Sequence, residues 1–299
     1  MATSRRLISV AAAAAVLVAG GASYLSTTGS EATGRSTGAL PPVEIETGVV
    51  HVHGLGVDPG DGTLYAATHS GLFALPEQGR ATRIANRVQD TMGFSIVGPG
   101  EFIGSGHPDD REDDVRPPLL GLIASDDAGQ TWERLSLHGE ADFHALHAAH
   151  GQVYGYDATS ATFMVSKDRK RWDRRAQLEL ADFAVSPTDP DTILATTAQG
   201  LARSADGGRT FSPVAGAPLL VVLTWAPQGQ LYGVMPDGTV QRSADGGVTW
   251  GARGSVAEQP EAITVDVRDG NEVLYVAAAR RGILASRDGG RSFTTRYAE

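Results

Sequence analysis

The 299-residue chain contains no cysteine, which excludes disulfide bonds, a cysteine nucleophile and a lipid anchor on an N-terminal cysteine. Its net charge of −10 excludes a general basic surface for nucleic acid. The sequence also lacks a Gly-x-Ser-x-Gly nucleophile elbow, and the stretch Gly54-Leu55-Gly56 lacks the third glycine of a dinucleotide-binding loop. Serine and cysteine hydrolases and phosphate-cradling enzymes are therefore disfavoured.

Helical periodicity is confined to the N-terminus. Arg5 and Arg6 precede an apolar run of Ala and Val that ends in small residues near Ala22. Residues 1–22 are therefore predicted to be a secretory signal peptide or a short membrane anchor. The Ser-, Thr-, Gly- and Pro-rich residues 23–42 are predicted to form a flexible linker. We expect an extracytoplasmic protein, either secreted or attached to the membrane only through this first segment.

An eight-residue pattern, Ser-x-Asp-x-Gly-x-Thr/Ser-aromatic, recurs through the rest of the chain. Ser and Asp side chains hydrogen-bond to the backbone of their own turn, Gly permits positive φ, and the aromatic ring covers the turn. Each copy therefore predicts a β-hairpin, and a copy one residue shorter lies at residues 166–172. The defining residues are Ser125, Asp127, Trp132, Ser204, Asp206, Phe211, Ser243, Asp245, Trp250, Ser286, Asp288 and Phe293.

The closing aromatic residues recur about every 40 residues, the length of one four-stranded propeller blade. These repeats resemble the Asp boxes, or BNR repeats, of sialidase-like, sortilin-like and photosystem II assembly-factor-like propellers. The resemblance covers roughly residues 50–297 and implies a β-propeller fold. It also implies that the Asp boxes are structural and lie away from the functional face.

We therefore predict an all-β, six-bladed propeller of four-stranded antiparallel blades in residues 43–299. A seventh blade would need about 40 more residues than the chain offers. Residues 43–50 alternate like a strand and are predicted to close the ring on blade six. The six blades are predicted at residues 51–87, 92–135, 142–175, 181–214, 219–253 and 261–296.

All eight histidines fall between residues 51 and 150. His69 and His107 align at the same position, just after the second strands of blades one and two. In a propeller that position and the starts of the first strands lie at one end of the axis. Four histidines are therefore predicted to line one axial mouth beside a carboxylate and a thioether. The predicted set is His53, His69, His107 and His144, with Asp142 and Met92 as neighbours.

Imidazoles that converge with a carboxylate are typical of a zinc site, and a neighbouring methionine favours copper. The predicted mouth is therefore a candidate copper or zinc site. The alternative is a channel lining of hydrogen-bonded histidines without a metal. An acidic loop at residues 107–118 lies on the same predicted face, and it is either a solvated rim or a partner contact.

The sialidase-like resemblance implies a second function, glycoside hydrolysis by a pair of carboxylates. The catalytic candidates at the predicted mouth are Asp142 and Asp157. Sialidases of this fold also use an arginine triad. The most similar stretch here places Arg83 on an outer strand, and Arg280 is the best later candidate. Further carboxylates near the mouth are Asp90 and Glu261.

The chain also resembles small exported Asp-box proteins in which His-x-His-Gly-Leu, Thr-His-x-Gly-Leu and Ser-Gly-His-Pro recur. Here these motifs lie at residues 51–55, 68–72 and 105–108. Such chains are described as glycosyl-hydrolase-like from their fold alone. Our preferred interpretation is an exported binding or assembly module that recognises a protein partner or a glycan; whether it is also an enzyme stays open.

Overall fold

Turns rich in Gly, Pro and Asp divide the chain into short strands that pair in sequence order. The computed structural model describes residues 48–109, 111 and 118–298. Within those residues, strands β1 to β24 form six four-stranded antiparallel sheets, and the spatial order in each sheet follows the chain. The predicted six-bladed propeller of four-stranded blades is therefore confirmed.

The strand bounds follow the predicted blades to within a few residues. Blade one contains β1 to β4, at Val52–Val57, Leu64–Thr68, Gly71–Leu75 and Thr82–Arg83, followed by a 3-10 turn at Ile84–Asn86. Blade two contains β5 to β8, at Asp90–Gly98, Glu101–His107, Leu122–Ser125 and Glu133–Ser136. Blade three contains β9 to β12, at Phe143–Ala149, Gln152–Asp157, Thr162–Ser166 and Asp173–Gln177.

The second half of the ring repeats this arrangement. Blade four contains β13 to β16, at Asp182–Val185, Ile193–Thr197, Gly200–Ser204 and Ser212–Pro213. Blade five contains β17 to β20, at Val222–Trp225, Leu231–Val234, Thr239–Ser243 and Gly251–Ser255. Blade six contains β21 to β24, at Pro260–Arg268, Asn271–Ala278, Gly282–Ser286 and Thr294–Tyr297. The first strand of every blade lines an axial channel.

Apolar side chains are buried between neighbouring blades. The described residues contain six hydrophobic clusters, and each joins one blade to the next. One cluster packs Leu55 of blade one against Tyr275 of blade six, so the ring is closed by side-chain packing. Val49 is buried in that same cluster. Burial of this kind contributes about 25 cal/mol per Å² of apolar surface.

The predicted ring-closing strand at residues 43–50 is not found in its described part. Residues 48 and 49 form a bend and residue 50 is irregular, so none of the three is in a strand, and residues 43–47 lie outside the described range. Within the described residues, blade six takes all four strands from its own segment. The predicted signal peptide or anchor and the linker also lie outside the described residues. No described helix is long and apolar enough to span a lipid bilayer.

The Ser-x-Asp motif connects the third strand of a blade to the fourth. In blade four, Ser204 Oγ donates to Asp206 Oδ1 (2.8 Å) and accepts from Gly208 N (2.8 Å). The same carboxylate accepts from Thr210 N and Oγ1 (3.0 and 2.6 Å). Gly208 has φ of +87°, and a Cβ there would lie 2.3 Å from Phe163 of blade three. The motif therefore satisfies its own turn and lets neighbouring blades approach closely.

Candidate functional site

Strand direction brings the predicted mouth residues together. Within each antiparallel blade, the start of the first strand and the end of the second lie at the same end of the axis. The hairpins that carry the Ser-x-Asp motifs, between third and fourth strands, lie at the opposite end. The mouth is therefore formed where β1, β5 and β9 begin and where β2 and β6 end. We use the name mouth cluster for His53, His69, Asp90, His107, Asp142 and His144.

β-Bulges direct two of these histidines to the mouth. Pairing between β1 and β2 skips His53, and pairing between β9 and β10 skips His144. An extra residue of this kind is left out of the ladder, so its side chain is re-aimed. Met92 occupies the same skipped position in β5, and Glu261 occupies it in β21. β13 and β17 pair with their neighbours without a bulge.

Asp90 is the centre of the first half of the mouth cluster. Its Oδ2 lies 3.1 Å from His69 Nδ1 and 3.3 Å from His107 Nδ1, and its Oδ1 lies 3.4 Å from His53 Nε2. Asp90 and His107 face each other directly across β5 and β6, so strand register fixes this pair. Three imidazoles from two blades thus surround one carboxylate.

Asp142 holds the second half of the mouth cluster. Its Oδ2 lies 2.9 Å from His144 Nε2 and 3.6 Å from His107 Nε2. Its backbone N donates to Asp157 Oδ1 (3.0 Å), which fixes the residue at the start of blade three. His107 therefore faces Asp90 with one ring nitrogen and Asp142 with the other.

The cluster shifts the acidity of its members. Burial opposes ionisation of Asp90, but the interactions with His107 and His53 outweigh it and hold the pKa of Asp90 well below its ordinary value. The hydrogen bond to Asp90 raises the pKa of His107; burial opposes this shift, and the negative charge of Asp142 adds to it. The carboxylate is therefore ionised at neutral pH and attracts a cation.

The donor atoms fit a borderline metal ion. The ligand atoms of His53, His69 and Asp90 all lie within 4.8 Å of one another. Zinc accepts this combination of imidazole and carboxylate in a tetrahedral site with one further ligand or water. His53 Nε2 and Asp90 Oδ1 are buried atoms that lie 3.4 Å from each other, and Asp142 Oδ1 is a buried atom without a hydrogen-bond partner among the described residues. Buried polar atoms are normally paired, so Asp142 Oδ1 in particular is suited to a bound ion or water.

A channel of about 380 Å³ runs below the mouth and is lined by the first strands of all six blades. His53 and His144 lie at its upper wall, and His147 lies farther along β9. Burial, with a smaller contribution from His150, lowers the pKa of His147 to about 4. His147 is a strand residue, and its ring is neutral at physiological pH.

The other carboxylates near the axis make hydrogen bonds within the scaffold. Asp157 accepts from Asp142 N, from Thr159 N and Oγ1, and from Ser160 Oγ. Asp182 accepts from Phe183 N and, across blades, from Leu223 N (2.8 and 2.9 Å). Glu261 Oε2 similarly accepts from Val52 N of blade one (3.1 Å). These bonds close turns or join neighbouring blades.

The two arginine candidates for a sialidase-like triad lie on an outer strand and at the protein surface. Arg83 lies on β4, the outer strand of blade one, and its guanidinium packs over the Phe73 ring at 5.2 Å. Arg280 is exposed and forms an ion pair with Glu258 (2.9 Å).

Part of the acidic loop at residues 107–118 lies outside the described residues, which include 107–109, 111 and 118. Asp109 is buried and accepts hydrogen bonds from Val88 N (2.8 Å) and from the Arg111 backbone and guanidinium. The hydrogen bonds from Arg111 are the main cause that holds the pKa of Asp109 below its ordinary value, although burial opposes them. Asp109 therefore anchors the start of the loop beside blade two.

Sequence reasoning placed the four histidines and Asp142 at one mouth, and the structure brings these five residues together. It included Asp90 among the mouth carboxylates but did not select it as a ligand. The signal was present: counting back from the Gly98-Pro99-Gly100 turn pairs Asp90 with His107 once the bulges are allowed for. Met92 lies at the position that the β5–β6 pairing skips, and its place beside the histidines stays a prediction.

No protein-family model matches the sequence, and no curated protein sequence matches it. Solved structures with the same fold include an ancestral GH74 enzyme, at 12% identity and a TM-score of 0.55 over 82% of this chain and 38% of that one. YCF48 bound to D1 peptide aligns at 15% identity with a TM-score of 0.52, over 82% of each chain. A gluconolactonase from Xanthomonas campestris aligns at 14% identity with a TM-score of 0.58, over 76% of this chain and 82% of that one.

The chain thus spans under two fifths of the ancestral GH74 enzyme and most of the two other proteins. Identities this low establish a shared architecture and carry no activity with them. Together with the strand order, the comparisons identify the chain as a β-propeller similar in fold to GH74 enzymes, to YCF48 and to gluconolactonase.

Proposed function

We propose that this protein is an exported propeller that binds copper or zinc at its mouth and acts as a binding or assembly module. The observation that carries the proposal is the convergence of His53, His69 and Asp90, with donor atoms within 4.8 Å of one another. Blades four and five form the same four-stranded sheets without any histidine. The histidines of blades one to three are therefore not required by the scaffold.

The donor set matches the chemistry of these two metals. Two imidazoles and one carboxylate leave a fourth position for water, for His107 or for a ligand from outside. Met92 lies near the start of β5, the inner strand of blade two, and its thioether favours Cu(I) over zinc if it takes part. The ionised Asp90 offsets part of the charge of the bound ion.

The site is accessible from solvent, which suits an exchangeable ion or a ligand-binding role. The His69 side chain is 61% exposed, whereas that of Asp90 is 16% exposed. A bound ion would thus contact the half-buried Asp90 carboxylate on one side and the exposed His69 imidazole on the other. An assembly role is supported by the similarity in fold to YCF48, which was solved with a bound peptide.

The test is metal titration of the full chain, purified without a histidine tag, followed by calorimetry and elemental analysis. We expect tight uptake of zinc or copper that is lost in His69→Ala, because the substitution removes one of the three converging donors. The His69 side chain is 61% exposed, so the fold should stay intact. The matched control is His51→Asn, since the His51 ring lies 6.5 Å from that of His69 and Asn tolerates its φ of 51°. No uptake by the wild-type chain would refute the proposal.

Glycoside hydrolysis by mouth carboxylates is the alternative, and the geometry gives it less support. Both oxygens of Asp157 accept hydrogen bonds from the scaffold, and Asp142 Oδ2 faces two imidazoles. A hydrolase would lose its activity in Asp142→Asn and Asp157→Asn whether or not metal is present. Screening of the metal-free chain against glycosides tests this function separately.

A further inference from the structure

Asp142 is a deeply buried carboxylate with an unused oxygen. Its side chain is 7% exposed, and its Oδ1 has no hydrogen-bond partner among the described residues. The other oxygen faces His144 Nε2 at 2.9 Å and His107 Nε2 at 3.6 Å. Leaving a buried carboxylate oxygen unpaired costs free energy, so the arrangement fits an ion or ligand that takes up this oxygen.

His107 lies between two carboxylates. Its Nδ1 is 3.3 Å from Asp90 Oδ2, and its Nε2 is 3.6 Å from Asp142 Oδ2. A protonated His107 donates to both carboxylates, whereas a neutral ring that donates from Nδ1 to Asp90 keeps a lone pair on Nε2 beside Asp142. A cation can take the place of that second proton, since both the lone pair and the carboxylate are metal donors.

The mouth holds more donors than one ion takes. A zinc ion accepts four ligands, and His53, His69 and Asp90 already supply three. His107 of blade two and Asp142 and His144 of blade three remain, and they offer the same mixture of imidazole and carboxylate.

We propose that the mouth binds two transition-metal ions, the second held by Asp142, His144 and His107, with the His107 ring between the two positions. This inference rests on the proposed metal-binding function. The chemical class of the ligand is a divalent ion that accepts nitrogen and oxygen donors, zinc or Cu(II). The second ion binds more weakly, because the donor atoms of His107, Asp142 and His144 do not all lie within 4.8 Å of one another, whereas those of His53, His69 and Asp90 do.

The experiment is zinc titration of the full, untagged chain by calorimetry, with elemental analysis after desalting at saturating metal. We expect two equivalents, one tight and one at least about tenfold weaker. His144→Ala should retain only the tight equivalent, and His53→Ala should lose it. His51→Asn is the matched histidine control, and circular dichroism with thermal unfolding checks that each variant is folded.

The outcomes separate this inference from the function on which it rests. One equivalent in the wild-type chain overturns the two-ion inference and leaves the proposed function standing; no equivalent overturns both. Two equivalents that persist in His144→Ala place the second ion elsewhere and overturn the assignment. In Cu(II)-loaded protein, electron paramagnetic resonance should show an isolated ion at one equivalent and magnetic coupling at two.

Discussion

The mouth over blades one to three differs from the mouth over blades four to six, although all six blades share one scaffold. On the first side, Asp90 and Asp142 face histidines. On the second side, Asp182 and Glu261 accept backbone N–H groups from the next blade, at 2.9 and 3.1 Å. A carboxylate near the start of an inner strand therefore either hydrogen-bonds to the next blade or contacts histidine side chains.

The carboxyl groups on the two sides also differ in pKa. Burial raises the pKa of Asp182 to about 7, against the two backbone N–H groups that favour its ionised form. The pKa of Asp90 is instead lowered, because the interactions with His107 and His53 outweigh its burial. The same kind of position thus holds a carboxyl group that is readily protonated in one half of the ring and a permanent anion in the other.

The sharpest way to test this contrast is to neutralise one carboxylate on each side. Asp90→Asn should lower zinc affinity by more than about 100-fold, because it removes a charged ligand that three imidazoles surround. Glu261→Gln is the matched variant and should leave zinc affinity unchanged, since the amide oxygen still accepts from Val52 N. Competition with a chelator measures both affinities; equal losses would show that the two halves do not differ in function.

The converse test concerns stability. Asp182→Ala leaves the N–H groups of Phe183 and Leu223 without their acceptor and should lower the free energy of unfolding by about 2 kcal/mol. Zinc affinity should stay within a factor of two or so, because Asp182 makes no recorded contact with the mouth cluster. Urea unfolding and chelator competition on the same preparation measure the two effects. A loss of metal affinity without a loss of stability would contradict the structural role.

Sequence reasoning succeeded where a feature repeats and was incomplete where a blade departs from the repeat. Aligning the second strands was enough to place His69 and His107 at equivalent positions. The repeat of one blade about every 40 residues determines at which end of the propeller axis each residue lies. It did not identify Asp90 as the central ligand, because the pairing with His107 depends on bulges after Thr91 and Ile96. A one-residue shift of register reverses the face of a strand.

The predicted ring-closing strand shows a second limit of inference from sequence patterns. Residues 43–50 alternate like a strand, yet residues 48–50 form no strand, and Val49 packs between blades one and six as a single buried side chain. Alternation records which residues are apolar, and it does not record whether a neighbouring strand has an unpaired edge. Within the described residues, blade six already has four strands of its own.

The bulge in blade two allows the choice of metal to be tested. Met92→Leu keeps the side-chain volume and removes the thioether, so it should weaken Cu(I) binding by about tenfold and leave zinc binding unchanged. A colorimetric Cu(I) chelator and a zinc indicator provide the two measurements. Equal affinities for Cu(I) in the wild type and the variant would remove Met92 from the site.

The smallest expected effect is the pH dependence of stability that comes from His147, which lies in the channel and not at the mouth. The unfolded chain protonates His147 near pH 6.5, whereas the folded chain does so only near pH 4. The neutral ring therefore stabilises the fold fully above about pH 6.5, and this contribution is lost as the pH falls towards 4. His147→Gln should weaken that pH dependence of urea unfolding. NMR titration of the metal-free chain should show His147 titrating near pH 4 and His107 above the ordinary histidine range; the reverse order would contradict the account.

The measurement that tests the central claim most directly is anomalous X-ray diffraction at the zinc or copper edge, from crystals of the untagged chain grown with that metal. The account predicts a peak at the mouth within coordination distance of His53, His69 and Asp90, with no comparable peak at the starts of the inner strands of blades four and five. A mouth without a peak under saturating metal, or a dominant peak at the opposite end among the Ser-x-Asp hairpins, would contradict it.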